Sequence, residues 1–149
     1  MERLERTSST SLDFIALVTL LDADLASRDG ADSAFYAQFN GIIHLNHAVV
    51  FYKENIPVAC GAFKPFTADS VEIKRMFVNP EQRGKGYATK VLAALETWAK
   101  ELGITFCILE TGKRQPEAIS LYKKNGYTIV PNYPPYEHMA NSVCFKKKL

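Results

Sequence analysis

Cysteine is scarce here and shows no paired spacing. The chain of 149 residues has three, Cys60, Cys107 and Cys144, each inside an apolar, strand-like run, which suits reduced, buried thiols and argues against a disulfide-stapled scaffold. Ligand-spaced Cys or His pairs are also missing: His44, His47 and His138 sit apart from the cysteines, so no metal site is expected. No apolar run reaches the roughly 18 residues of a membrane span. The opening MERLERTSSTS has neither the apolar core nor the cleavage signature of a secretory signal. A cytoplasmic location is therefore the expectation. Basic clusters are few as well. The formal net charge is +2, and the one basic block is KKK at 146–148, which reads as a solvated strand end. Nucleic acid is not expected as a partner, because phosphate-backbone binding usually needs a clustered basic face. Repeats and low-complexity segments are absent. What remains is an ordinary globular composition, 47% hydrophobic and 23% charged, of a length expected for a single domain over residues 1–149.

The pattern along the chain resolves into alternating elements. TSLDFIALVTLLDADLASRDG predicts a helix, with Thr10 as N-cap, Asp13 three residues on as its capping-box partner, and Phe14, Leu17, Leu21 and Leu25 at helical spacing up to Gly30. A short second helix is expected over residues 31–39. HAVVFYKE and IPVACGAFKPF, joined at Asn55, predict a hairpin. A third strand follows over residues 70–78, SVEIKRMFV, whose alternation fails where Arg75, Met76, Phe77 and Val78 crowd together. A bulge explains such a lapse, and bulges concentrate beside functional sites. Next comes a helix carrying Ala88, Val91, Leu92, Leu95, Trp98, Ala99 and Leu102 on one stripe and Lys90, Glu96, Lys100 and Glu101 opposite, closed by Gly103. ITFCILE is nearly continuously apolar, the mark of a central strand covered on both faces. Strand, helix and strand in this order make a parallel βαβ unit. QPEAISLYKKNGY reads as a further helix closed by Gly126, then YTIV and NSVCFKKKL as two strands around a proline-rich loop.

The connection inside the βαβ unit, VNPEQRGKGYATKVL, carries the chemistry. The first amides of an α-helix lack internal partners and the helix dipole places roughly half a positive charge there. Gly84 and Gly86 have no Cβ to keep an anion away from those amides, and Arg83 and Lys85 add charge at the rim. Two readings follow: a pyrophosphate cradle, or a glycine-rich turn with no ligand. Spacing separates the possible phosphate patterns. GKGYATK does not fit a Walker A loop. A dinucleotide fingerprint would place Thr89 where its third glycine belongs, although Glu110, 24 residues after Gly86, stands near the position of a ribose-binding acid.

RGKGYA, residues 83–88, satisfies R/Q-x-x-G-x-G/A, the acetyl-coenzyme A signature of the GCN5-related N-acetyltransferase (GNAT) family, and the sequence resembles that family. VEIKRMFVNP precedes it as the family's fourth strand does, and AISLYKKNGY resembles its late A-x-x-L-Y-x-x-x-G-F/Y helix. The resemblance covers residues 71–127; the first seventy residues match only in element order. It implies a single-domain α/β GNAT fold, a mixed and mostly antiparallel sheet of about six to seven strands with a central parallel βαβ unit and flanking helices. It implies acetyl-CoA as acyl donor. The backbone of Met76, Phe77 and Val78 would pair with the pantetheine arm where strands four and five splay, and the amides of Arg83, Gly84, Lys85, Gly86, Tyr87, Ala88 and Thr89 would hold the pyrophosphate. Tyr122 falls on the tyrosine that stabilises the departing thiolate, and Glu72, six residues before Val78, on the carboxylate that some members use as general base. Gln115 departs from an asparagine that many members use to contact coenzyme A.

The implied reaction is direct transfer to a primary amine in a ternary complex. An alkylamine with pKa near ~10.4 is neutral to only about one part in a thousand at pH 7, so a base is required. Glu72, ordinarily near ~4.3, would need burial or a water relay; an exposed strand residue paired with Lys74 or another cation is the other reading. A phenol near ~10 protonating a thiolate near ~8.5 is uphill by about 2 kcal/mol, so Tyr122 suits hydrogen bonding better than full proton transfer; packing at helical spacing from Ile119 is the other reading. The cysteines have no adjacent base for a ping-pong route. The acceptor pocket would be lined by the first two helices and the loop PNYPPYEHMAN, with Asp22, Asp24, Asp29 and Asp32 to attract a cation and Tyr133, Tyr136 and His138 to shape the walls; a solvated helix end and a proline-bound loop packed on the sheet are the other readings. Small amine, amino-acid derivative and protein amine all stay open, as does a homodimer. A non-catalytic acyl-CoA sensor and a nucleotide-binding oxidoreductase-like domain are the alternatives from other classes.

Overall fold

Glu54 and Asn55 both take left-handed backbone angles, φ 50° and 65°, as a two-residue hairpin turn requires to follow the twist of its strands. They join β2 (His47–Lys53) to β3 (Ile56–Thr67) in a computed structural model that describes residues 1–39, 41 and 45–149. His44 lies outside those residues. Around this hairpin run β1 (Glu2–Thr7), α1 (Leu12–Asp29), α2 (Ser33–Ala37), β4 (Ser70–Val78), α3 (Tyr87–Glu101), β5 (Phe106–Gly112), α4 (Pro116–Lys124), β6 (Thr128–Val130) and β7 (Ser142–Lys148). The strands form one sheet in the order β1-β2-β3-β4-β5-β7-β6. β4 and β5 are parallel, and the other neighbouring pairs are antiparallel. This is the expected mixed sheet with its central βαβ unit.

Alternation along β2 feeds two layers. Ala48 and Val50 face α1, where Phe14, Leu17, Val18 and Leu21 pack with Cys60, Ala62 and Phe77. Val49 and Phe51 face α3 and α4, where Val91, Leu92, Leu95 and Tyr122 pack with Val71, Ile73, Leu109 and Phe145. Each large apolar side chain so covered stabilises by about 1.5–3 kcal/mol. Two details at the N-terminal end differ from expectation. Ser11, not Thr10, caps α1: its Oγ accepts from the Phe14 amide at 3.2 Å, while Thr10 Oγ1 meets Ser8 Oγ at 2.8 Å. Asp13 forms no capping box and accepts from the Tyr52 hydroxyl at 2.6 Å instead. The second helix is also shorter than residues 31–39, a 3-10 turn at Gly30–Asp32 followed by five residues of α2. All three cysteines are buried and free. Among the described residues no helix is long and apolar enough to cross a membrane, and no acid, His and Cys cluster could hold a metal ion.

Two irregularities position everything that follows. Cys60 faces Phe77 and Ala62 faces Lys74, so Gly61 alone opposes Arg75 and Met76, and Arg75 takes φ 60°. This is the expected bulge. The second irregularity is in β4 and β5, which pair only through Ser70, Val71 and Glu72 against Phe106, Cys107 and Ile108. Beyond that point the strands part. Gly61 admits the bulge because a Cβ there would lie 2.5 Å from Met76 Sδ, 2.9 Å from Leu95 Cδ1 and 3.0 Å from Val91 Cγ1. Gly61→Val should therefore lower unfolding stability by about 1–3 kcal/mol through overpacking, measured by urea denaturation; an unchanged midpoint would mean that the bulge is loosely held.

Candidate active site

The gap between β4 and β5 opens into a cleft of about 400 Å³ walled by Met76, Phe77 and Val78 on one side, the loop into α3 on a second and α4 on a third. α3 begins without protection. Its N-cap is Gly86 at φ 82°, no side chain caps it, and its first turn holds no acid. Among the described residues, no protein acceptor takes the amides of Gly84, Lys85, Gly86, Tyr87, Ala88 or Thr89. These free donors at the positive end of a helix dipole make an anion site by the physics of any helix N-terminus.

The rim differs from the sequence expectation. Arg83 has its amide on Pro80 O at 3.4 Å, the closing bond of a 3-10 turn. Its Nε donates to Val78 O at 2.9 Å, and its guanidinium lies over the Phe77 ring. Arg83 therefore ties the loop to the end of β4. Lys85 does not line the cleft, and its Nζ reaches Gln82 Oε1 at 3.0 Å. Tyr87 faces inward, its ring stacked on Phe51 at 4.5 Å, so only its backbone serves the loop. Met76, Phe77, Val78, Arg83, Gly84, Gly86, Tyr87, Ala88 and Thr89 all line the cleft.

A second cavity, of about 100 Å³, continues from the first, sharing Leu21, Met76, Gln115, Ala118 and Tyr122 with it. Gln115 thus borders both cavities. Tyr122 is 6% exposed, and burial together with the nearby Glu110 charge raises its pKa; the phenol stays protonated at neutral pH. The farther wall contains Glu72, Glu110, Asp29, Lys74 and Arg75. Glu72 is buried, not an exposed strand residue. Its Oε2 accepts from the Tyr133 hydroxyl at 2.7 Å, with Lys64 and Lys74 Nζ at 3.8 and 4.0 Å from Oε1.

Glu110 is a functional candidate to which the sequence assigned no role, since it entered only through the ill-fitting dinucleotide pattern. It lines the small cavity and not the phosphate cleft, which removes it from any ribose-binding role at the loop. Ser142 Oγ donates to it at 2.7 Å, and Tyr36 meets Ser142 at 2.7 Å, a chain from α2 through β7 to β5. Burial pushes its pKa up to about 7; the Ser142 bond and Lys74 oppose the shift, while Asp29 and Glu72 add to it. The only sequence signal was an acid within an apolar central strand.

The remaining acceptor-side residues divide. Tyr36 and Tyr136 stack at 6.2 Å and help wall the cavity, as does Asp29. Asp22 pairs with Arg75, Asp24 with Arg28, and Asp32 lies 3.8 Å from Arg114. His138 is exposed on the loop and forms no part of the cavity wall.

The two cavities thus meet at Tyr122, between the parted strands and the uncapped start of α3. The sequence model of the Acetyltransferase (GNAT) family matches residues 15–127, and the chain belongs to that family. It is 36% identical over 93 residues to an IAA acetyltransferase of Azospirillum brasilense, covering 62% of this chain and 61% of the relative. It is 37% identical over 82 residues to the uncharacterized N-acetyltransferase YjgM of Escherichia coli (strain K12), covering 53% and 48%. The chain thus spans about half to three-fifths of these relatives' length. Among solved structures, one from Klebsiella pneumoniae subsp. pneumoniae MGH 78578, provisionally named an acyl-CoA N-acyltransferase, superposes with a TM-score of 0.83 at 30% identity over 100% of this chain and 98% of that one. The PaiA N-acetyltransferase of Thermoplasma acidophilum, solved with coenzyme A, shares the fold at a TM-score of 0.75 and 16% identity, over 100% and 99%.

Gly86→Ala would place a Cβ-bearing residue at φ 82°, at a conformational cost of about 1–2 kcal/mol. We expect a lower melting temperature and, by displaced amides, at least about tenfold weaker coenzyme A binding in calorimetric titration. Unchanged affinity would mean that the carrier does not use this loop.

Proposed function

We propose that this chain transfers an acetyl group from acetyl-CoA to a primary amine by direct attack in a ternary complex. The observation that carries this reading is the meeting of the two cavities at Tyr122, one walled by free amides and an open strand edge, the other by buried carboxylates. The amides of residues 84–89 would take the pyrophosphate, and the unpaired edge of Met76, Phe77 and Val78 would pair with the pantetheine arm and lead the thioester to Tyr122. Once its ammonium proton has been taken, the amine nitrogen bonds to the thioester carbonyl carbon, the second proton this leaves in excess on the nitrogen passes to solvent, the C–S bond breaks, and the sulfur leaves as thiolate. Tyr122 supplies a hydrogen bond to it. Its raised pKa makes complete proton transfer costlier than for an ordinary phenol, so stabilisation is its role.

The ammonium proton must go to a carboxylate. Transfer from an alkylammonium near ~10.4 to a carboxylate near ~4.3 is uphill by about 8 kcal/mol. A carboxylate at about 7, the value burial gives Glu110, reduces this to about 5 kcal/mol. We therefore assign proton acceptance to Glu110 and see Glu72, held by Tyr133 and the two lysines, as the charge that draws the ammonium in and as a second base within the same wall. Location in an aqueous cell compartment, binding of acetyl-CoA as donor and an amine as acceptor belong to this same reading, without nucleic acid or membrane.

Two measurements follow. Because Glu110 must be ionised to accept a proton, kcat/KM should rise with pH through about 7 before the acceptor's own limb; the groups facing it are Ser142, Lys74, Asp29 and Glu72. Glu110→Gln should remove that limb and lower the rate by about 10²–10⁴-fold, whereas a retained limb would transfer the role to Glu72. Tyr122→Phe should reduce kcat by about 10²-fold with little change in KM for acetyl-CoA. Full activity in Tyr122→Phe would leave the tyrosine a packing residue.

A further inference from the structure

The wall of the small cavity carries charges of both signs. Glu72, Glu110 and Asp29 are matched by Lys74 and Arg75, neighbours on β4. Consecutive strand residues ordinarily point to opposite faces. Here the bulge turns both toward the α1 and α2 side: Lys74 Nζ donates to Phe39 O at 3.1 Å, and Arg75 pairs with Asp22 of α1. A site built only for an amine has no use for two cations, which repel an ammonium and are costly to desolvate.

Arg75 is incompletely matched. Its side chain is 2% exposed, whereas that of Asp22, which takes one guanidinium nitrogen, is 53% exposed. Its Nε has no hydrogen-bond partner among the described residues. A buried donor left unpaired costs about 1–3 kcal/mol, and a guanidinium is best satisfied by a carboxylate meeting it with two oxygens. Lys74, 9% exposed, has one bond, to Phe39 O, and no carboxylate within hydrogen-bonding distance, its Nζ lying 4.0 Å from Glu72. Bringing a carboxylate to these cations would offset a cost that the protein alone leaves standing.

We propose that the acceptor bears a carboxylate as well as its amine, a small amino acid or amino-acid-like zwitterion, with the carboxylate on Arg75 beside Lys74 and the ammonium toward Glu72 and Glu110. A cavity of about 100 Å³ bounded by Tyr36 and Tyr136 suits such a molecule better than a folded protein's amine. The inference rests on the acetyltransferase reading, and the experiment separates the two.

Thiol release from acetyl-CoA is followed with the common amino acids, their carboxamides and the corresponding amines lacking the carboxyl carbon. For the best acceptor, kcat/KM of the acid should exceed that of its carboxamide and amine by at least about 30-fold. Arg75→Met should bring the ratio to within about threefold, the loss falling mainly on KM for the acid, and Arg75→Lys should retain part of the preference. The wild-type comparison needs no variant, and coenzyme A binding checks that each variant is folded. Carboxamides or amines used as well as acids, or a ratio unchanged in a folded Arg75→Met, would overturn the inference alone. No thiol release with any acceptor would overturn it together with the acetyltransferase reading.

Discussion

The site depends on the parting of two parallel strands. β4 and β5 share three residue pairs and then diverge, exposing the amides and carbonyls at the end of β4 to a ligand rather than to a neighbour. An unpaired strand edge inside a sheet is costly unless something satisfies it. The bulge opposite Gly61 is the local cause that fixes where the edge lies, since it rotates the strand after Lys74 and changes which side chains face each layer. Met76 thereby packs against α3 while Phe77 packs against α1. One two-for-one mismatch in register sets both the donor edge and the charged wall next to it.

The polarity of α3 complements that edge. A helix whose N-cap is a left-handed glycine and whose first turn lacks an acid leaves its positive end unmatched within the protein, and the loop side chains brace the loop. Arg83 holds the loop to Val78, and Lys85 is held by Gln82. Across Tyr122 the second cavity sets three carboxylates, Asp29, Glu72 and Glu110, beside two cations, Lys74 and Arg75, under an aromatic roof of α2 and the loop between β6 and β7. Burial there raises Glu110 toward neutrality, the condition under which one carboxylate can both attract a cation and accept its proton.

How much of this was legible in the sequence differs by element. α3 was readable because its apolar stripe and flanking glycines agree, and the bulge was readable as a lapse in alternation at Arg75. β1 was not, since ERLERT is exposed along nearly its whole length and shows no apolar face to mark a strand; its pairing with β2 is a tertiary fact. The Ser11 cap was displaced by one residue because Ser, Thr and Asp crowd that turn and only geometry chooses among them. Around the cleft, residue types and spacing placed the loop, the open edge of β4 came only from the family resemblance, and the directions of Arg83 and Lys85 came from neither. On the acceptor side, Glu110 and Arg75 were visible as residues, but their roles follow from the register of β5 on β7 and from the bulge, which join residues far apart in the chain. His138 shows the converse: a chemically apt residue on the right loop that points to solvent.

Under the proposed function, bared amides at the start of α3 and the free edge of β4 together hold an acyl carrier with its thioester at Tyr122. A crystal structure with acetyl-CoA tests it most directly. The expected result is pyrophosphate oxygens on the amides of residues 84–89, the pantetheine arm hydrogen-bonded along Met76 to Val78, and the thioester sulfur beside the Tyr122 hydroxyl. A carrier bound away from the cleft, or a β4 edge closed by β5 in the complex, would contradict it.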